Sequence, residues 1–394
     1  MVPEDFAPLT IARYQLSLRA CEATTLPRFL GSTLRGAFGH ALKQAVCVMP
    51  HRNCDRCLVS DRCIYPYLFE TPPPPDVQQL RGQQNAPHPF ILTPLETREF
   101  AIENREMPLA PLKSGATPTV RSDMAAAVRL VKRAESTQAN PVAGERRHFA
   151  VGDELAFELV LLGAAIEYLP YIIYAVSEMA GCGLGAERAR FALEEVFAVS
   201  EAGDRTRIYA GEGSRLTGQS AANSLVNLIE ERINRLARQG VVAALERNEP
   251  LRLRFMTPTR IRANDDLQVN LSFAALVKNL LRRVSLLAAV HGAGELALDY
   301  RELIARAAAV KTLESKLGWH DWQRYSNRQQ THMKFGGFIG DIAFVGDPSV
   351  SNPAVEEPSV NNPLKAFLPL LIAGELLHVG SNTAFGLGKF EIVV

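Results

Sequence analysis

The closing stretch, 368-LPLLIAGELLHVGSNTAFGLGKFEIVV-394, decides how the rest of the chain reads, because its order of elements also stands at 169-LPYIIYAVSEMAGCGLGAERARFALEEVFAV-199. Each copy opens on Leu-Pro, passes through a short apolar run to Gly-Leu-Gly, and closes on residues of strand type. Pro170 corresponds to Pro369 and Gly183 to Gly386. Proline has no amide donor and suits only the first turn of a helix, so the last helix is placed from Pro369 to His378. Gly380 then supplies a left-handed cap, and the β-branched and aromatic residues of 389-KFEIVV-394 form a closing strand.

The likeness extends upstream. Strand-rich segments precede both copies, at 149-FAVGDELAFELVLLG-163 and 332-HMKFGGFIGDIAFVG-346. Before those, each half has a strand running into an amphipathic helix: 11-IARYQLSLRA-20 with 26-LPRFLGSTLRGAFGHALKQAV-46, and 251-LRLRFMTPTRIRA-263 with 271-LSFAALVKNLLRRVSLLAAV-290. Strand, helix, strands, helix, strand is the split βαβ pattern, which predicts an α+β chain of two tandem ferredoxin-like domains. Leu-Pro and Gly-Leu-Gly are also common by chance, so the weight rests on the order of elements. The boundary falls near Asn248. Residues 1–248 are read as the first domain with a cysteine-rich insertion and a connecting helix, and 249–394 as the second with the glycine-rich loop.

The chain has 394 residues and a formal charge of +1, so any nucleic-acid surface must be a local patch. No membrane span is expected, because the most apolar run is broken by Glu167, Pro170 and Glu178. With no signal-type leader either, the reading is cytoplasmic. Cys47, Cys54, Cys57 and Cys63 cluster as C-x6-C-x2-C-x5-C, leaving Cys21 and Cys182 elsewhere. Four thiolates suit one tetrahedral structural zinc, and Arg52, Arg56 and Arg62 would offset their charge. An iron–sulfur cluster uses the same ligands, and unrelated thiols are the plainer reading. A closed tetrathiolate has no open position and therefore no catalytic part.

The segments 26-LPRFLGSTLRGAFGHALKQAVC-47, 63-CIYPYLFETPPP-74, 319-WHDWQRYSNRQQTHMKFGGFIGDIAFVGD-347 and 377-LHVGSNTAFGLGKF-390 together resemble the CRISPR-associated precursor-RNA processing endoribonucleases of the RAMP superfamily. The resemblance implies two ferredoxin-like (RRM-like) domains with a glycine-rich loop before the last strand. It further implies CRISPR repeat RNA as substrate and guide RNA as product. Other CRISPR effector subunits are further partners it brings in. The implied chemistry needs no catalytic metal: a ribose 2′-hydroxyl attacks the neighbouring phosphate, leaving a 2′,3′-cyclic phosphate and a 5′-hydroxyl. That calls for a general base, a general acid and a cation.

Two histidines compete for the proton transfers. On the first helix Leu30, Leu34, Phe38, Ala41 and Ala45 form the apolar stripe, while Gly36, His40 and Lys43 share the other side. His40 as base with Lys43 as electrostatic partner is one reading, and a solvated helix face is the other. His378 in the last turn before the glycine loop would be favoured in its protonated form by the helix dipole, as an acid or phosphate ligand or as a simple cap. For RNA binding, Gly380, Gly386 and Gly388 offer backbone amides without Cβ atoms, or serve only as turn residues. Lys389, Arg35, Lys334, Arg252 and Arg254 supply charge, the last two on one face of a strand. Members of the family often carry a lysine after His-Val-Gly, where this chain has Ser381. A non-catalytic RAMP subunit that holds guide RNA in an effector complex keeps everything except the histidine chemistry. A zinc-containing module for some other partner is the third reading.

Overall fold

The computed structural model describes residues 1–49, 53–74, 77, 85–95, 146–217, 222–263, 266–267, 270–326, 331–346 and 362–393. Strand β1 (Thr10–Ala20) divides its apolar residues between two cores, as the two-residue period of a strand dictates. Ala12, Tyr14, Leu16 and Leu18 face one core, and Ile11 faces the other. After the short β2 (Thr24–Pro27), α1 (Gly31–Val46) buries Leu34, Phe38, Ala41 and Leu42 at helical spacing; Ala45, placed on that stripe from sequence, is exposed. There follow β3 (Phe90–Pro94), β4 (Arg146–Phe149), β5 (Glu154–Leu162), α2 (Leu169–Cys182), β6 (Phe191–Val199) and β7 (Arg205–Tyr209). The main sheet runs β3-β5-β1-β6-β7 with all neighbours antiparallel, and β2 pairs with β4 as a separate ribbon.

The short β8 (Asn223–Ser224) pairs with the start of β1 and leads into α3 (Leu225–Arg238) and α4 (Val241–Glu246). The boundary near Asn248 assigned α3 to the first unit. Its Leu225, Leu228, Ile229 and Leu236 nevertheless lie in the core of the second, and Arg232 donates two 2.9 Å hydrogen bonds to Glu375 there. An apolar helix face goes where it is covered, whatever its place in the chain.

The second unit continues through β9 (Leu251–Thr259), the two-residue strands β10 (Arg262–Ala263) and β11 (Asp266–Leu267), α5 (Phe273–His291) and α6 (Tyr300–Ala307). The hairpin of β12 (Val310–Ser326) and β13 (Thr331–Gly346), α7 (Leu368–Leu377) and β14 (Phe390–Val393) complete it. Its sheet runs β12-β13-β9-β14, again fully antiparallel. In both sheets the first strand lies between the third and the fourth, with the second outside, and the first sheet carries β7 beyond its fourth strand. Side chains at 321–326 and 331–335, Lys334 among them, lie outside the described residues.

The units share a core. Ile11, Ile91, Val160 and Leu162, on the face of the first sheet away from α1, pack in one cluster with Phe255, Leu280 and Leu371 of the second unit. No helix among the described residues is long and apolar enough to cross a membrane.

Candidate nucleic-acid interface

The glycine-rich loop lies between α7 and β14 and crosses to the first unit. Helix α7 ends at Leu377, one residue short of the sequence placement, and it is His378 (φ +59°) rather than Gly380 that leaves the helix with positive φ. Ala384 of the loop is buried in the core of the first unit. A Cβ on Gly386 (φ +80°) would stand 2.7 Å from the Leu92 carbonyl oxygen of β3, and one on Gly388 (φ +77°) only 1.9 Å from that of Val379. Gly380 likewise lies against the Arg260 carbonyl. The close approach these glycines permit is thus to the protein's own backbone, and Gly386 and Gly388 are buried. The reading of Gly386 and Gly388 as a phosphate surface is corrected accordingly: Gly386 lets the loop close on the first unit, and Gly388, like Gly380, lets it fold back on the second. A Gly388→Ala substitution combines this overlap with a left-handed backbone and is expected to destabilise the chain by about 2–3 kcal/mol, read as a lower midpoint in urea unfolding.

The cations placed at the interface from sequence are largely engaged. The Lys389 ammonium donates to Glu158 of β5 at 2.8 Å, and Arg13 of β1 donates to the same carboxylate at 2.8 and 2.9 Å. Burial would raise the Glu158 pKa, but Lys389 and then Arg13 overcome it and hold the carboxyl down at about 2. Arg13 also reaches Glu201, which pairs with Arg235 of α3. Arg254 forks onto Asp341 at 2.8 and 3.3 Å and lies near Glu391, while Arg252 meets Glu314 at 3.1 Å. The two arginines do share the sheet face away from Leu253, but carboxylates on neighbouring strands offset them. Arg35 lies over the rings of Phe385 (4.6 Å) and Phe69 (5.2 Å) and contacts His88 at 3.0 Å. It clamps the glycine loop to α1 rather than reaching outward.

The histidines separate by burial. His378 is 2 % exposed, and its Nδ1 donates to the Leu387 carbonyl at 3.1 Å. Burial first, then the Lys389 charge, depress its pKa to about 3, so the protonated acid expected at this position is replaced by a neutral ring that closes the loop. His88 (about 3) and His291 (about 4) are depressed mainly by burial as well. Folded, these three stay neutral; unfolded, they take up protons near pH 6.5. Because the unfolded chain binds more protons, stability is full above pH 6.5 and falls as pH drops toward 4. Urea unfolding across that window should show a slope approaching three protons, reduced by about one in His378→Gln.

His40 remains exposed on α1, one turn beyond Gly36, where no atom stands within 4 Å of a would-be Cβ. The Gln44 amide, one turn on, donates to its Nε2 at 2.9 Å, so the lone pair of that nitrogen is directed at the amide. Lys43 is not its partner. That ammonium lies 4.6 Å from the centre of the Tyr65 ring and lines a pocket with the four clustered cysteines. The other exposed histidine among the described side chains, His148, contacts Thr25 on the β2–β4 ribbon. Sequence reasoning missed Glu158, although a lone carboxylate inside the apolar strand 155-LAFELVLL-162 was a visible signal for a buried pair.

Two antiparallel sheets that share a four-strand order, each backed by helices and joined through a glycine-rich loop, define a tandem α+β architecture. Within it, residues 253–390 match the profile of the CRISPR-associated endoribonuclease Cas6. Residues 9–109 and 135–221 match a separate profile described as the AF_1859_N N-terminal domain. An uncharacterised protein of Archaeoglobus fulgidus is 24 % identical over 367 residues, covering 93 % of this chain and 92 % of that one. Among solved structures, Thermus thermophilus Cas6 is 14 % identical with a TM-score of 0.45, covering 98 % of this chain and 99 % of its own. A Cas6-related protein from Pyrococcus furiosus is 10 % identical with a TM-score of 0.42, covering 97 % and 98 %.

Proposed function

We propose that the chain is an endoribonuclease that cuts CRISPR repeat RNA into guide RNAs, on two ferredoxin-like domains and without a catalytic metal. The match of residues 253–390 to the Cas6 endoribonuclease family carries this reading. His40 is the general base. When RNA displaces Gln44, the Nε2 lone pair takes the 2′-hydroxyl proton as that oxygen attacks the adjacent phosphorus. The bond to the 5′-oxygen then breaks, the leaving oxygen collects a proton, and the ends are a 2′,3′-cyclic phosphate and a 5′-hydroxyl. Gly36, one turn back, leaves the helix surface low enough for a ribose to approach the ring.

One set of observations favours the guide-holding alternative. His378, Lys43, Arg35 and Lys389 are all committed to internal contacts, which leaves fewer groups for acid and electrostatic roles. Gel-shift and cleavage assays with the repeat RNA of the source genome, in EDTA, separate the two. A single cut supports the nuclease. Tight binding without a cut supports the guide-holding subunit, and no preference over an unrelated hairpin contradicts both.

A further inference from the structure

The segment from Asn53 to Cys63 has no core of its own. Its two 3-10 turns, Cys54–Arg56 and Ser60–Arg62, bury no residue, and Leu58 is 94 % exposed. Fixing each residue of such a segment costs about 1–2 kcal/mol of backbone entropy, with no apolar burial here to offset it. What the segment turns inward is sulfur. The Cys57 amide donates to the Cys54 carbonyl at 3.1 Å and the Cys63 amide to that of Ser60 at 3.2 Å, so each turn delivers a cysteine where it closes. Cys47, just past the end of α1, joins them, and all four line one pocket of about 20 Å³, room for a single guest the size of a water molecule.

All four cysteines are free and half-buried. As they stand, no three of the described His, Cys, Asp or Glu side chains are gathered closely enough to hold an ion. The thiols ring the pocket and would have to draw in around a metal. Lys43, one helical turn before Cys47, lines the same pocket as the four sulfurs.

We propose that Cys47, Cys54, Cys57 and Cys63 hold one structural zinc ion, with the Lys43 ammonium as a positioning group that offsets the charge of the tetrathiolate. A tetrahedral four-sulfur site supplies the cross-link the turns lack. It ties the end of α1 to Ile64 and Phe69, which are buried in the first core. Binding releases one proton for each thiol that becomes a thiolate, and no electron is transferred.

Elemental analysis of the full chain, purified without chelator, tests this directly. The expected result is about one zinc per chain, lost in the Cys54→Ser/Cys57→Ser double variant and kept in Cys21→Ser/Cys182→Ser. Exchange with cobalt should give the thiolate-to-metal absorption and d–d bands of a tetrahedral sulfur site. Lys43→Met, which leaves all four ligands in place, should give up its zinc to a chelator about ten-fold more readily. Iron with acid-labile sulfide, a disulfide among the four cysteines, zinc retained in the double variant, or no bound metal would each overturn the proposal.

Discussion

A His40→Ala variant is expected to bind repeat RNA as the wild type does and to cut it about 100- to 10,000-fold more slowly, the usual contribution of a positioned base. The histidines buried in the fold cannot substitute for it. His88, His291 and His378 are enclosed, and His148 lies on a separate ribbon. Among the described residues, His40 alone combines an exposed ring, a lone pair held by a displaceable amide, and open space one turn away at Gly36. Gln44→Ala should leave binding unchanged and slow cutting far less than the histidine change, because the amide only orients the ring. Single-turnover cleavage beside a filter-binding isotherm reads both. Equal loss of binding and cutting in His40→Ala would make the residue a contact rather than a base.

Glu158→Ala is expected to cost about 3–5 kcal/mol, because it takes the carboxylate from Lys389 and leaves Arg13 with Glu201 alone in a site from which water is largely excluded. Glu158 is 8 % exposed and holds Lys389 of the second unit and Arg13 of the first by its two oxygens. Its depressed pKa contributes stability that is present above the unfolded carboxyl value near 4.3 and is lost as pH falls toward 2. The variant should therefore unfold at much lower urea at pH 7 and show a shallower acid slope below pH 4.5. Since the pair bridges the units and abuts the loop, hydrogen exchange should rise first at 383–390. A variant as stable as the wild type would show that the units are held by their shared apolar core alone.

Much of this architecture is written locally. Leu-Pro marks the start of a helix in both halves, and Gly183 and Gly386 share a positive φ (+93° and +80°), although Gly183 caps its helix directly and Gly386 stands nine residues past the end of α7. The amphipathic stripe of α1 and the outward face shared by Arg252 and Arg254 follow from periods of 3.6 and 2. What sequence leaves open is what stands opposite each side chain. Gly36, His40 and Lys43 fall together on a helical projection, but the cysteine loop draws Lys43 away to Tyr65. Lys389 follows a glycine loop, as a phosphate ligand would, yet its partner lies 231 residues away at Glu158. His378 looks like an exposed helix end until the return of the chain at Leu387 covers it. Each of these depends on long-range packing, to which periodicity is blind.

The proposed function stands or falls on attack by the 2′-hydroxyl. The most direct measurement incubates the purified chain in EDTA with end-labelled repeat RNA, alongside the same RNA carrying one 2′-deoxy nucleotide on the 5′ side of the cut, and identifies the product ends. The prediction is a single cut in the all-ribose strand with a 2′,3′-cyclic phosphate and a 5′-hydroxyl, and none in the deoxy strand although it binds equally. Cutting of the deoxy strand, or cutting that requires an added divalent ion, would contradict it.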